Sequence, residues 1–329
     1  MQKVKGSFLT VLALAMLTVT GCDRHSTKEV YYLISANLSL PYWQTAQAGF
    51  NQAAAEYKVT ARVDGPPNDD PKAELDAMQK AIAAKPAGIL VSVADSAVLT
   101  PAINAAISAG IPVITMDSDA ADSKRLYFIG TNNLQAGRMG GRRVAEKLNG
   151  KGNVVFFTVA GQSNTEERLK GFKDAFASHP DIKIVDVIDV KEDARTAFDK
   201  AQQLEALTGA KKIDAFISLD SASGKPLADA VKRFSTGGQF VMAWDVNPDV
   251  LNAIKSGEID ATIAQKPYTM GYAGLRALDE IFHAPPAKLD TDYSADSFSP
   301  FPVFVDTGTD LVDKTNVDAY LAAAAQQAK

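Results

Sequence analysis

The side chains best suited to chemistry gather in one stretch, Gln239 to Pro267. An apolar run, Phe240 to Trp244, reads as a buried strand closed by Asp245 and the turn residues Asn247 and Pro248. A helical segment follows, with Val250, Leu251 and Ile254 on one face and Gly257 as its stop. A second strand, Ile259 to Ala264, ends in Gln265 and Pro267. In parallel sheets, ligands bind beyond the C-terminal ends of the strands. Trp244, Asp245 and Gln265 thus set an aromatic plate, a charged acceptor and an amide at strand ends, a group suited to a polyhydroxylated molecule. The competing reading is an ordinary βαβ unit with a core tryptophan.

Catalytic chemistry finds less support. Of the three histidines, His25 precedes the first strand, His179 lies beside a proline after a helix, and His283 lies just before Pro285-Pro286. None falls at an expected strand end, where this architecture places its sites. Paired aspartates could serve a glycosidase, and Asp117 with Asp119 could hold a metal, but no third ligand lies nearby in sequence. Gly137, Gly140 and Gly141 fall within a helical pattern, and no G-x-G-x-x-G or Walker motif is present, so close helix packing explains them better than a nucleotide. A non-enzyme with neither cofactor nor metal is expected.

The elements that position these residues occupy a chain of 329 residues, long enough for two domains. With 46% hydrophobic and 22% charged residues it is globular in composition. A net charge of -5 without a basic block argues against nucleic acid. Lys3 and Lys5, an apolar run from Phe8 to Val19 and then Val19-Thr20-Gly21-Cys22 form a secretory leader with a lipobox-like end. Cys22, the only cysteine, would carry the lipid after cleavage, leaving no disulfide or thiol chemistry to the mature domain. Residues 1–22 are then the leader and 23–29 a polar tether.

From Val30 onward, short apolar strands alternate with amphipathic helices, the pattern of a parallel sheet covered on both faces. The scheme runs once to Gly130 and begins again near Asn153, which predicts two doubly wound α/β lobes. Other polar strand ends fall at Ser92, Asp117-Ser118-Asp119 and Asp220. Asp95 reads as the cap of the following helix. Tyr42 and Trp43 sit just before a helix, where they could form a hydrophobic staple.

Several motifs carry a resemblance. "WDVNPDVLNAIKSGEIDATIAQKP" resembles the last third of periplasmic sugar-binding proteins of the ribose-binding type, where (F/W)-D-x-x-P and A-T-(I/V)-x-Q-x-P recur. Pro112 to Asp117 is similar to their P-V-I-T-x-D, and Asn164 to Phe172 to their N-x-x-x-R-x-x-G-F. The likeness extends over nearly all of residues 29 to 310. It implies a type I binding protein: two lobes joined by three hinge crossovers, at Gly130-Thr131, at Gln265 and near Ser297 to Pro300, with the ligand in the cleft. On that plan the first lobe comprises residues 30–130 with 266–297, and the second 131–265 with 298–329.

The resemblance also assigns roles. It implies that Trp43, with Tyr42, and Trp244 stack on a sugar, that Asp117, Asp245 and Ser92 contact its hydroxyls, that Arg168 enters the cleft, and that Gln265 sits at a hinge. The chain departs from ribose binders in three places. Leu40-Pro41-Tyr42-Trp43 replaces Asn-Pro-Phe-Phe, Ser118 stands where they carry arginine, and Asp220 where they carry asparagine. Asp117, Asp220 and Asp245 against Arg168 alone favour a neutral sugar or polyol over a sugar acid or phosphate, since a buried anion among carboxylates is strongly disfavoured. A lipid-anchored, monomeric receptor in the cell envelope, delivering its ligand to the permease of an ABC transporter, is expected. The alternative is a receptor presenting a sugar-like signal of the autoinducer-2 type. A repressor would need a DNA-binding headpiece where the leader stands.

Overall fold

The computed structural model describes residues 25–235 and 237–327. The leader and the proposed lipidation site at Cys22 lie outside the described residues. The first lobe is built in chain order from β1 (Val30–Ile34), α1 (Pro41–Tyr57), β2 (Thr60–Asp64), α2 (Pro71–Ala83), β3 (Gly88–Val91), α3 (Ser96–Ser108), β4 (Val113–Met116) and β5 (Phe128–Gly130). The second contains α4 (Asn133–Lys147), β6 (Lys151–Thr158), α5 (Ser163–Phe176), β7 (Asp181–Asp189), α6 (Ala194–Glu205), β8 (Ala215–Ser218), α7 (Gly224–Phe234), β9 (Phe240–Trp244), α8 (Pro248–Ser256) and β10 (Ala261–Ala264). The chain then returns through α9 (Pro267–His283), which packs on α1 of the first lobe.

Each lobe is a six-stranded sheet, in the orders β11-β5-β4-β3-β1-β2 and β12-β10-β9-β8-β6-β7, where β11 is Phe304–Asp306 and β12 is Asp310–Asp313. The pairings are parallel except β12 against β10. Every residue of β3, β4, β8 and β9 is buried. Sheets covered by helices on both faces demand such unbroken apolar runs. Asp70, Asp95, Asn132 and Asp193 each cap a helix by accepting from its first-turn N–H groups, so Asp95 is the helix cap expected from the sequence.

Three features correct the sequence reading. The third crossing lies between β11 and β12, beyond Ser297 to Pro300, because β11 pairs with β5 in the first sheet and Phe304 stacks on Phe128 at 5.3 Å. Tyr293 and Phe301 also pack on the first-lobe core, so residues 298–306 belong there and not to the second lobe. Helix α1 starts at Pro41, so Tyr42 and Trp43 lie inside its first turn and not before it, with proline at the favoured leading position. Finally, residues 25–29 do not form a free tether: His25 and Glu29 are bonded to Asp279 and His283 of α9.

Helices α4 and α5 pack closely enough to exclude a side chain at their crossing. A Cβ on Gly137 would lie 2.1 Å from the carbonyl oxygen of Arg168, and one on Gly171 would lie 2.3 Å from that of Leu134. This fixes the height of Arg168 above the second sheet.

Candidate ligand-binding cleft

Asp117 and Asp245 follow β4 and β9, strands that occupy equivalent places in the two sheets. Both residues turn the chain in the left-handed region, with φ of 61° and 66°. This region costs a non-glycine residue about 1–2 kcal/mol, and Asp tolerates it better than most. Two strand-end carboxyls are thereby aimed from opposite lobes into one cavity of about 270 Å³.

The cavity is lined by Tyr42, Trp43, Asp117, Gln162, Asn164, Thr165, Arg168, Glu192, Asp220, Asp245 and Gln265. In the first lobe, Tyr42 donates its hydroxyl to Asp117 Oδ1 at 2.6 Å. Its ring meets Trp43 edge-on at 5.1 Å. In the second lobe, Arg168 is 2% exposed and spends its fork on neutral acceptors. Nε donates to Asn133 Oδ1 at 2.8 Å, one terminal nitrogen to the Leu219 carbonyl at 2.7 Å, and the other to Gln265 Oε1 at 3.0 Å. A guanidinium has five N–H donors, so these three bonds leave two uncommitted. Among the described residues no carboxylate forms an ion pair with Arg168.

Gln265 ties the site to the crossings. Its Oε1 also accepts from Thr131 Oγ1 at 2.8 Å, and its Nε2 donates to Asp245 Oδ1 at 2.9 Å. Asp220 plays a more local part than the sequence suggested. Its Oδ1 accepts from the N–H groups of Ala222 and Ser223, and its Oδ2 from the Ser223 hydroxyl, so it holds its own turn while lining the cavity.

Burial pushes the carboxyls of Asp117, Asp220 and Asp245 above their usual range, Asp245 to about 7. The Arg168 charge pulls back on all three. Tyr42 is raised well above the usual phenol value by burial and by Asp117.

Of the expected residues, Tyr42, Trp43, Asp117, Arg168, Asp220, Asp245 and Gln265 converge, and three do not line the cavity. Trp244 is 0% exposed within the second-lobe core, and the Arg168 guanidinium lies over its ring at 4.3 Å. The indole therefore backs the arginine and does not face a ligand, which removes the sandwich between two tryptophans. Ser92 is wholly buried. Ser118 approaches Ser163 of the other lobe, with Oγ atoms 3.3 Å apart. Asp119, weighed above as a metal ligand, instead binds Arg125 through both oxygens at 2.6 Å.

Sequence reasoning missed Glu192, Asn164, Gln162 and Thr165. Asn164 Nδ2 donates to Asp117 Oδ2 at 3.0 Å, joining the lobes. Glu192 accepts from Asn37 Nδ2 at 2.8 Å, also between lobes. Glu192 follows β7 and has φ of 54°, so its one sequence signal was its place after a strand end. The run Lys191-Glu192-Asp193 carries no motif that marks it as part of a site. The residue is partly exposed, yet its carboxyl is enclosed, and burial beside Asp220, Asp69 and Asp117 raises it to about 8.

These raised values make closure pH-dependent. An acid whose pKa is higher in the closed form binds more protons there, so the closed form is favoured below the open-state value and loses ground as pH rises through the closed-state value. For Glu192 that window runs from the ordinary 4.5 to about 8. Without ligand, small-angle scattering should give a smaller radius of gyration at about pH 5.5, in the lower part of that window, than at about pH 9, above it. Glu192→Gln should flatten the change, and equal radii for the parent protein at both values would refute the link.

Two doubly wound lobes, three chain crossings and a polar cavity between strand ends define the two-lobed binding proteins of type I fold. Residues 31–284 match the periplasmic binding protein domain, and the chain belongs to that family, the one its motifs resemble. Among its relatives, the ribose import binding protein of Salmonella typhimurium is 25% identical over 292 residues, covering 87% of this chain and 95% of that one. A solved sugar ABC transporter sugar-binding protein from Bacillus halodurans shares 33% identity and superposes with a TM-score of 0.76 over 89% of this chain and 100% of its own. An ABC transporter solute-binding protein from Agrobacterium vitis, bound with alpha-D-tagatopyranose, reaches a TM-score of 0.80 at 26% identity, over 90% of this chain and 98% of its own.

Proposed function

We propose that this chain is an extracytoplasmic receptor, held to the membrane by a lipid on Cys22, that captures one neutral monosaccharide or polyol by lobe closure and delivers it to an ABC importer. The observation that carries the ligand class is the pairing of uncommitted groups in the cavity. Two N–H donors of the buried Arg168 guanidinium are left without partners, and the residue lines one cavity with carboxyls that form no ion pair with it. A hydroxyl both donates and accepts, so a polyol satisfies both sides at once. A sugar acid or phosphate would add negative charge beside the carboxyls of Asp117, Asp220 and Asp245.

On this reading Asp117 and Asp245 accept from ligand hydroxyls, Arg168 donates, and Trp43 covers an apolar C–H face. The relatives' names, which specify ribose, arabinose, xylitol and allose, support the class without choosing a member.

A thermal-unfolding screen against pentoses, hexoses, polyols, sugar acids and sugar phosphates tests the proposal. At a concentration a hundredfold above Kd, a cognate ligand adds about 2.7 kcal/mol of stability. A neutral member should raise the melting temperature. A shift given by a sugar acid or phosphate, with none from any neutral member, would overturn the assignment.

A further inference from the structure

A second cluster of chemically capable side chains lies at the opposite end of the first lobe from the cleft. It forms where the segment before β1 meets the last turns of α9. His25 Nε2 is 2.9 Å from Asp279 Oδ2, while His283 Nε2 is 3.1 Å from Glu29 Oε2 and 3.6 Å from Asp279 Oδ1. The ligating atoms of His25, Asp279 and His283 all lie within 4.8 Å of one another. Asp279 and His283 are one helical turn apart, so α9 presents both on the same face.

From these positions we infer that His25, Asp279 and His283 bind one first-row divalent transition-metal ion of the zinc class, with Glu29 beside the site at His283. Donor atoms on a tetrahedral zinc with bonds of about 2.0–2.2 Å lie roughly 3.4 Å apart, and the three spacings above bracket that value. Two imidazoles and a carboxylate suit zinc and its neighbours; calcium and magnesium prefer all-oxygen shells. Arg276, which lines the same groove, is turned aside and donates through Nε to the Tyr57 hydroxyl at 2.9 Å.

The surroundings hold the ligands in place. Tyr31 donates its hydroxyl to Asp279 Oδ1 at 3.1 Å, the kind of outer hydrogen bond that orients a metal-binding carboxylate. The His25 ring stacks on Tyr57 at 4.8 Å, with the planes inclined by only 7°. The groove beside Asp279 is open, which gives an ion a path in. Bound there, the ion would clamp the start of the body to the end of α9, across 254 positions of sequence.

The test uses the untagged full chain carrying Cys22→Ser, so that the single thiol cannot capture metal, with Zn²⁺ alone as the probe. Competition against a chromophoric chelator should show one ion per chain and a raised melting temperature, with no shift from Ca²⁺ or Mg²⁺. His25→Ala and His283→Ala should each weaken binding by at least about tenfold, the lower bound seen even for outer-shell changes, while His179→Ala leaves it intact. Melting of each variant without zinc checks its fold, and His283→Gln replaces the alanine variant if that one fails. Absence of zinc binding, or equal binding by His25→Ala and the parent, would show that the cluster is held by hydrogen bonds alone.

Discussion

Replacing Arg168 with methionine should reduce affinity for the cognate ligand by roughly thirtyfold to several thousandfold. Removing one side of a buried, hydrogen-bonded charge arrangement costs about 2–5 kcal/mol, and each 1.4 kcal/mol is a factor of about ten. The loss has two sources. The ligand forfeits two guanidinium N–H groups, and the carboxyls of Asp117, Asp220 and Asp245 lose the charge that holds their proton affinity down. Methionine keeps much of the bulk above Trp244 but leaves Asn133, the Leu219 carbonyl and Gln265 without this donor. Arg168→Lys separates charge from geometry, since an ammonium cannot reproduce the fixed fork that spans those acceptors. Calorimetry on variants of known melting temperature decides the matter. Binding within threefold of the parent by a folded Arg168→Met protein would remove the arginine from the site.

Trp244→Ala should lower stability by about 3–5 kcal/mol, the usual loss for a large aromatic cut from a core. For a chain of 329 residues, with an unfolding entropy of about 2.1 cal/mol/K per residue, that corresponds to a fall in melting temperature of roughly 4–7 °C. The indole is fully buried among the second-lobe core residues, and Arg168 rests on its face. Any affinity lost by a folded variant would therefore arise from a displaced guanidinium. Trp43→Ala should differ in kind. Its ring lines the cavity from the first turn of α1, so affinity should fall further than stability alone explains. A Trp244→Ala protein that melts like its parent would show that the ring is not a core anchor.

The contrast between the tryptophans shows how far the sequence could be read. Both fall at places where parallel sheets open onto a cleft, and periodicity could locate those places. It could not say which way the last residue of a strand faces. In β9 the left-handed turn at Asp245 sends the carboxyl to the cavity and leaves Trp244 pointing into the core. The lobes and the strand ends were legible because apolar runs and turn residues are local signals, whereas Tyr42, Trp43 and Arg168 were placed in the cleft by the family resemblance. Glu192 and Asn37, 155 positions apart, were not, because their contact exists only when the lobes meet. The third crossing was misplaced for a similar reason: β11 is short and half-buried, with no strong pattern, and is fixed by pairing with β5 and by the Phe128–Phe304 stack.

Gln265 occupies one chain crossing, hydrogen-bonds Thr131 at another, and supports both Arg168 and Asp245. On the proposed reading, the joint about which the lobes swing is made partly from the groups that would grip the ligand. A torque that pries the lobes apart also twists this amide and slackens its hold on the arginine and the aspartate together. A membrane partner engaging only the outer faces of the lobes could thus unload the cleft without reaching into it, by leverage.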